Sequence, residues 1–186
     1  MNVRLLFVPV ALLGSALLLP ACSAVRSAAN RTASTSQPEY SGSDGMPNWR
    51  AVPVFGTVNL RAGFTPDPTT RTVAAGGSSA NPVSGEGCAG YLNLSAPDLD
   101  LNYTNGTGAL PLTISAASAS DISMVVYTPD GRWICDDDSG SDLNPSITFE
   151  RPQSGNYNIW IATYNATSAR PSSTVGFSEL RRNVDQ

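Results

Sequence analysis

The stretch that decides the fold runs from residue 122 to residue 164 and reads ISMVVYTPDGRWICDDDSGSDLNPSITFERPQSGNYNIWIATY. It contains four runs rich in β-branched and aromatic residues, several of which alternate between apolar and polar side chains. Between the runs lie Pro-Asp-Gly at 129–131, Ser-Gly at 139–140 and Ser-Gly-Asn at 154–156, residue types that favour tight turns. The pattern predicts antiparallel β-strands joined by short connections.

The same pattern continues on both sides of this stretch, and no segment after residue 30 shows a sustained helical period. Short strands at this spacing are typical of a sandwich or barrel, and we expect an antiparallel two-sheet β-sandwich of jelly-roll type. The long polar segment 63–86 is predicted to be a loop with at most one edge strand, near residues 71–75. The other predicted strands are residues 52–60, 91–94, 99–103, 110–116, 122–128, 132–135, 146–150, 156–164 and 174–179.

Alternation within the strands predicts which side chains face the core. The predicted core residues are Leu110, Leu112, Ile114, Ile122, Met124, Val126, Tyr157, Ile159 and Ile161. The opposite face of the last of these strands then carries Asn158, Trp160 and Tyr164, and Trp133 lies close by in sequence. Exposed aromatic rings beside an amide stack on sugars, so Trp133, Trp160 and Tyr164 are candidate glycan-binding residues. The alternative is that the 63–86 loop covers Trp160.

The order of strands and turns in residues 123–164 resembles the bacterial pre-peptidase C-terminal domain, a small β-sandwich attached to secreted proteases and other exported proteins. In that family a Pro-x-Ser-Gly-x-Tyr turn leads into a final apolar strand, and Pro152, Ser154, Gly155 and Tyr157 match it. GFTPDP at 63–68 and GCAGYLNLSAPDLDLNY at 87–103 are similar to proteobacterial exported proteins, which extends the resemblance to about residues 56–164. No peptidase domain precedes the sandwich, so the resemblance implies no proteolytic activity.

The first 22 residues have the features of a bacterial export signal. Arg4 precedes an apolar run, and Leu-Pro-Ala-Cys at 19–22 ends it. A Cys in this position indicates a lipoprotein signal peptide, with lipid (palmitate included) attached at Cys22. Ordinary cleavage and a transmembrane anchor are the alternatives, although the run of about 15 apolar residues is short for a membrane-spanning helix. We expect residues 1–21 to be the signal, 22–51 a disordered tether rich in Ser, Ala, Gly and Pro, and 52–186 the sandwich.

Three cysteines are an odd number for an exported chain. Lipid on Cys22 leaves Cys88 and Cys135, which we expect to form a disulfide in an oxidising compartment. Closing a loop of about 48 residues would stabilise the fold by roughly 4 kcal/mol. Two buried free thiols are the alternative.

Composition excludes several classes of function. The chain has no His and no Lys, so it lacks the usual Ser-His-Asp and Cys-His systems, His-based zinc sites and Schiff-base lysines. A formal net charge of −4 disfavours nucleic acid as a partner. Any catalysis would have to use carboxylates, Arg, Tyr or Ser, so we expect no enzyme.

An acidic loop follows the strand at 132–135. Asp136, Asp138, Asp142 and Asn144 are candidate metal ligands, because Ca²⁺ takes 6–8 oxygen ligands from such side chains. The family resemblance also implies that loops of this kind can bind calcium. The alternative is a solvated turn with no ligand. A carboxylate-based hydrolase would draw on Asp137, Asp138 and Glu150.

Together these features predict a non-catalytic, lipid-anchored protein of the bacterial cell envelope. Ser23 after Cys22 favours the outer membrane, on its periplasmic or surface face. The sandwich would be structural or would bind an envelope protein or polymer, with calcium as a stabilising ion. The alternatives are a carbohydrate-binding module and, from a different class, a carboxylate-based hydrolase.

Overall fold

A computed structural model describes residues 45–105, 108 and 110–185. In these residues all regular structure is β, in two sheets of seven and four strands with no helix, which confirms the predicted two-sheet sandwich. The strands are β1 (Thr57–Arg61), β2 (Thr69–Ala74), β3 (Ser79–Ala80), β4 (Tyr91–Leu92), β5 (Leu99–Thr104), β6 (Leu112–Ala117), β7 (Ile122–Tyr127), β8 (Trp133–Asp136), β9 (Ser146–Phe149), β10 (Gly155–Thr163) and β11 (Ser172–Ser178).

The seven-stranded sheet is built around β10, the longest strand. One edge of β10 pairs with β7, which in turn pairs with β8. Its other edge pairs first with β5 and then, at Thr163, with β4, which also pairs with β3. β1 lies beside β5 in the only parallel pairing among the described strands. The smaller sheet has the order β2-β11-β6-β9, so β2 is the edge strand predicted near residues 71–75. The expectation of at most one strand in 63–86 was wrong, because β3 is a second strand in that segment.

Asp98 lies beside the part of β10 where pairing with β5 ends and pairing with β4 begins. Its Oδ2 accepts a hydrogen bond from the backbone N–H of Ile161 at 2.7 Å, in the gap between β5 and β4. The carboxyl is buried, and its Oδ1 has no partner among the described residues. Burial raises the pKa of Asp98 to about 7, against the opposing effect of the Ile161 hydrogen bond.

The main core lies between the two sheets and contains eight of the nine predicted core residues, from Leu112 and Ile114 on β6 to Ile161 on β10. Leu110 is the exception. It is 37 % exposed, because β6 begins only at Leu112 and Leu110 belongs to the preceding connection.

A second apolar cluster covers the opposite face of the seven-stranded sheet. Trp160 points away from the main core, as predicted. Its side chain is fully buried, however, so the prediction that it forms part of an exposed aromatic surface was wrong. Segments at 46–49 and 81–94 lie over this face and cover the ring. The cluster comprises Val83, Leu92, Val125, Trp160 and Ala162, with Met46, Trp49, Cys88, Leu94, Tyr127, Trp133 and Cys135 packed against it.

A disulfide joins Cys88 to Cys135, with the two Cα atoms 4.9 Å apart, and confirms the predicted pairing. It attaches the segment before β4 to β8. Both cysteines pack against the second cluster, so the bond fixes part of its cover.

The N-terminal boundaries differ from the prediction. Residues 45–51, assigned to the tether, are folded: the N–H of Asn48 donates to the carbonyl of Leu94 at 2.8 Å. The predicted strand at 52–60 is only partly formed, because Pro53 has no N–H to donate and Gly56 turns the chain with a φ of 88° before β1 begins. The predicted signal, Cys22 and the tether up to residue 44 lie outside the described residues. Within the described ranges no helix is long and apolar enough to cross a membrane.

Candidate functional site

A groove of about 340 Å³ opens on the outer face of the seven-stranded sheet, beside the second cluster. We call it the aromatic–amide groove. Two turns form its rim, one between β7 and β8 and the other at the start of β10. Its lining residues are Trp49, Tyr127, Thr128, Pro129, Gly131, Ser154, Gly155, Asn156 and Asn158.

Hydrogen bonds hold the β7–β8 turn in place. The N–H of Thr128 donates to the carbonyl of Arg132 at 2.9 Å, and Arg132 donates its own N–H to Thr128 Oγ1 at 3.0 Å. Asp130 accepts from Thr128 Oγ1 at 2.5 Å and from Arg132 Nε at 2.7 Å, and these hydrogen bonds lower the pKa of Asp130. The predicted Pro-Asp-Gly turn is confirmed, and these hydrogen bonds hold it in place at the rim of the groove.

Gly155 lets the two turns of the rim touch. Its φ is 144°, and a Cβ at this position would lie 2.7 Å from Cβ of Pro129. A side chain would therefore push the turns apart as well as strain the backbone. The Ser-Gly-Asn pattern at 154–156 sets the width of the groove at this end.

Asn156 and Asn158 of β10 form the floor of the groove, and side chains on the neighbouring strands hold them in place. Asn156 Nδ2 donates to Asn102 Oδ1 at 2.9 Å, and Asn102 Nδ2 donates to Asn59 Oδ1 at 3.0 Å. Two residues further along β10, on the same face, Asn158 Nδ2 donates to Asp100 Oδ1 at 2.7 Å. Burial raises the pKa of Asp100, and hydrogen bonds from the two asparagines of β10 act in the opposite direction. The amides are thus held in fixed orientations.

The wall of the groove is the end of a column of aromatic rings. Trp49 stacks on Tyr127 with ring centroids 4.9 Å apart, Tyr127 contacts Trp133 at 4.6 Å, and Trp133 contacts Trp160 at 5.5 Å. The guanidinium of Arg50 lies 3.9 Å from the Trp49 ring centroid. Two groups at these distances cannot share one face of the indole, so Arg50 and Tyr127 cover both. The groove therefore meets the edges of Trp49 and Tyr127.

This arrangement suits a neutral, hydroxyl-rich ligand. Asn156 is partly exposed, and its Oδ1 can accept a hydrogen bond from a ligand, whereas Asn158 is only 2 % exposed and donates to Asp100. Tyr127 adds a hydroxyl beside them. The carboxylate of Asp130 on the rim is paired with Arg132, and Asp100 lies under the floor. None of the described lining residues is a carboxylate, a Cys or a cation.

The predicted metal ligands are not brought together. Asp136 accepts three hydrogen bonds within the loop, from Ser139 N, Ser139 Oγ and Ser146 N. Asn144 Oδ1 accepts from the N–H of Ser118 at 2.9 Å. Across the residues that the structure describes, no three His, Cys, Asp or Glu side chains are grouped closely enough to hold a metal ion. Of the predicted calcium ligands Asp136, Asp138, Asp142 and Asn144, only Asp136 and Asp138 line a common pocket, the acidic pocket described next, and calcium binding stays a prediction.

An acidic pocket of about 370 Å³ lies against the disulfide, lined by Glu86, Gly87, Cys135, Asp136, Asp137, Asp138 and Ser139. The hydrolase alternative combined Asp137 and Asp138 with Glu150. Glu150 does not line this pocket, and it forms an ion pair with Arg181 instead, which lowers its pKa. The three carboxylates therefore do not share a cleft.

The three aromatic residues predicted to bind glycans do not form one exposed surface. Trp160 is fully buried, and Trp133 is half-buried between Trp160 and Tyr127. Tyr164 is 44 % exposed just beyond β10, and it does not line the groove. Asn158, predicted to share a face with Trp160, does line it.

Sequence reasoning missed Trp49 and Tyr127. Trp49 fell in a segment assigned to the tether because of its small and polar neighbours. A Trp at the end of such a segment is itself a signal, because a large indole contributes substantial buried area. Tyr127 ends a strand whose two faces are both covered, so alternation gave no reason to single it out.

No protein-family model matches this chain, and no curated protein matches it.

Proposed function

We propose that this chain is a non-catalytic, lipid-anchored protein of the bacterial cell envelope whose sandwich binds a neutral glycan in the aromatic–amide groove. The observation that carries the proposal is the fixed placement of Asn156 and Asn158 beside the edges of Tyr127 and Trp49. Ligand sites of this kind combine apolar contact area with a few polar groups in defined orientations.

A sugar ring fits these groups through its two kinds of surface. Its C–H groups can pack against the ring edges of Trp49 and Tyr127, and its hydroxyls can pair with Oδ1 of Asn156 and with the Tyr127 hydroxyl. Because the asparagines are already oriented by Asn102 and Asp100, binding costs little side-chain entropy.

The cellular setting rests on the sequence. The Leu-Pro-Ala-Cys signal supports lipid attachment at Cys22, and the resemblance to the pre-peptidase C-terminal domain supports an accessory, non-catalytic role. The absence of His and Lys from the whole sequence is consistent with that role.

The test is retention on an array of neutral oligosaccharides containing hexose and N-acetylhexosamine units, followed by titration calorimetry with the best-retained compound. Asn156→Ala removes a groove amide at a partly exposed position, so we expect it to weaken binding by about tenfold, corresponding to roughly 1.4 kcal/mol. Tyr127→Phe, which removes only a hydroxyl, is expected to weaken binding by a smaller factor.

Asn59→Ala is the matched control. It removes an amide from the same row on the sheet, but Asn59 does not line the groove. The proposal predicts unchanged binding in this variant. Equal losses at positions 59 and 156, or no retention of any oligosaccharide, would contradict it.

A further inference from the structure

The loop between Trp49 and β1 exposes three apolar side chains. Val52 is 86 % exposed, Val54 53 % and Phe55 37 %. They account for three of the seven large apolar side chains that the described residues expose. Scattered apolar residues on a surface are ordinary, whereas three within four positions form a patch of the kind that marks an interaction site.

The backbone of this loop is fixed. The N–H of Val54 donates to the carbonyl of Pro97 at 2.9 Å, and the N–H of Phe55 donates to the carbonyl of Asp98 at 2.8 Å. The exposure of the patch is therefore a property of the folded domain.

The segment that carries the patch differs in charge from the whole chain, while the neighbouring segment 97–100 contributes the buried Asp98 and the half-buried Asp100. No acidic residue occurs between Gly45 and Pro66, although the full sequence has a net charge of −4. Arg50 lies directly before the patch and forms no ion pair with a described residue. An apolar patch bordered by a cation complements an anionic lipid surface, where apolar groups enter the interface and cations meet the headgroups.

The position of the patch in the chain points to the same partner. Only 22 residues, 23 through 44, separate Cys22 from the first described residue. The tether predicted from the composition of this segment would span roughly 25 Å, so an anchor at Cys22 would keep this end of the sandwich close to the bilayer. This step rests on the proposed lipid anchor.

We infer that Val52, Val54 and Phe55 form a membrane-contact surface that enters the interfacial region of an anionic bilayer, with Arg50 at the headgroups. The contact adds a second, reversible attachment to the lipid at Cys22. It also turns one defined end of the sandwich toward the membrane.

The test places an environment-sensitive fluorophore at single cysteines, Val54→Cys in the patch and Leu143→Cys as the control. Leu143 is exposed to the same extent as Val54, 53 %, but lies in the acidic loop. The full chain, recovered from membranes, is mixed with vesicles of phosphatidylglycerol and phosphatidylethanolamine in equal parts. We expect a severalfold rise and a blue shift in emission at position 54 and no change at position 143.

Adding Val52→Ser and Phe55→Ser to the Val54→Cys chain should remove most of the rise, whereas adding Leu180→Ser, at another exposed apolar residue, should not. A silent fluorophore at position 54, an equal response at position 143, or a response that depends on protein concentration without vesicles would overturn the inference. The last result would assign the patch to a second copy of the chain.

Mass spectrometry of Cys22 in the same samples reports on the anchor separately, so a lipidated chain whose fluorophore does not respond to vesicles refutes the contact alone. A responding fluorophore on a chain without lipid refutes the anchor alone.

Discussion

At the scale of single residues, the groove depends on where individual polar groups are held. Asn158 carries out two tasks, because it donates to Asp100 and also lines the groove. The sequence predicted that Asn158 faces away from the main core. It could not predict the hydrogen bond to Asp100, because the pairing of β10 with β5 joins residues 58 positions apart.

Arg50 covers a face of Trp49 that a sugar could otherwise use. A cation–π contact at an exposed site contributes about 0.5–1 kcal/mol, so the guanidinium is easily displaced. We expect Arg50→Ala to raise glycan affinity by up to about fivefold in titration calorimetry, the factor that this energy represents. Arg71→Ala, at an exposed arginine on the other sheet, is the control and should leave the affinity unchanged. Weaker binding in Arg50→Ala would instead show that Arg50 contacts the ligand.

Asp98 should make stability depend on pH. Its pKa is about 7 in the folded chain and 3.8 in the reference state, so the unfolded chain binds fewer protons over that interval. The contribution of Asp98 to stability is therefore complete below about pH 4, and it falls by up to about 1.4 kcal/mol per pH unit until the pH passes the folded pKa. Asp98→Asn keeps an oxygen for the N–H of Ile161 and cannot ionise. We expect this variant to lose most of the decline and to be more stable than the wild type at pH 7.

Urea unfolding across this pH range is the measurement, with Asp138→Asn, at an exposed aspartate, as the control for a general loss of negative charge. A decline of equal size in the wild type and in Asp98→Asn would contradict the assignment to Asp98.

At the scale of elements, alternation along the strands identified the main core well and the second cluster poorly. Apolar residues at every other position place Tyr157, Ile159 and Ile161 between the sheets, as found. Alternation says nothing about whether a loop covers the other face. The cover over Trp160 comes from segments at 46–49 and 81–94, far away in sequence and without strand periodicity, so only the folded chain reveals it.

The disulfide should stabilise this cover as well as the whole fold. Cys88 and Cys135 are 47 positions apart and join a connection to β8, beside Trp133. We expect the double variant Cys88→Ser/Cys135→Ser to lose roughly 4 kcal/mol of stability in urea unfolding, because the open chain gains conformational entropy when it unfolds. The near-ultraviolet circular dichroism of the aromatic column should also weaken. If the oxidised wild type and the double variant unfolded at the same urea concentration, the bond would have no such role.

The acidic loop shows a second limit of prediction from sequence, which concerns hydrogen bonds within a loop. Composition identified candidate oxygen ligands, but composition does not say which oxygens already accept hydrogen bonds from the protein. Asp136 accepts hydrogen bonds from Ser139 and Ser146 and so closes its own loop. Ser and Asp at such spacings form local turns readily, and a turn of this kind uses the acceptors that a cation would need.

At the scale of the whole molecule, three features lie at or near one end of the described chain. Trp49 contributes to the groove, Arg50 stacks on it, and Val52 begins the proposed membrane-contact surface. The sequence predicted the sandwich, the disulfide and most of the main core, because each depends on local pattern or on counting. It did not predict the groove, which requires the segment at 45–51 to fold back onto β7 and β10.

The central claim is that the aromatic–amide groove binds a neutral glycan, and an amide-resolved NMR titration tests it most directly. The retained oligosaccharide would be added to isotope-labelled protein while the side-chain amides of Asn156 and Asn158 and the backbone amides of Gly131 and Gly155 are followed. We predict that these signals shift together and saturate at one ligand concentration. Shifts centred instead on the acidic pocket at Glu86 and Asp136–Ser139, or no shifts at all, would contradict the claim.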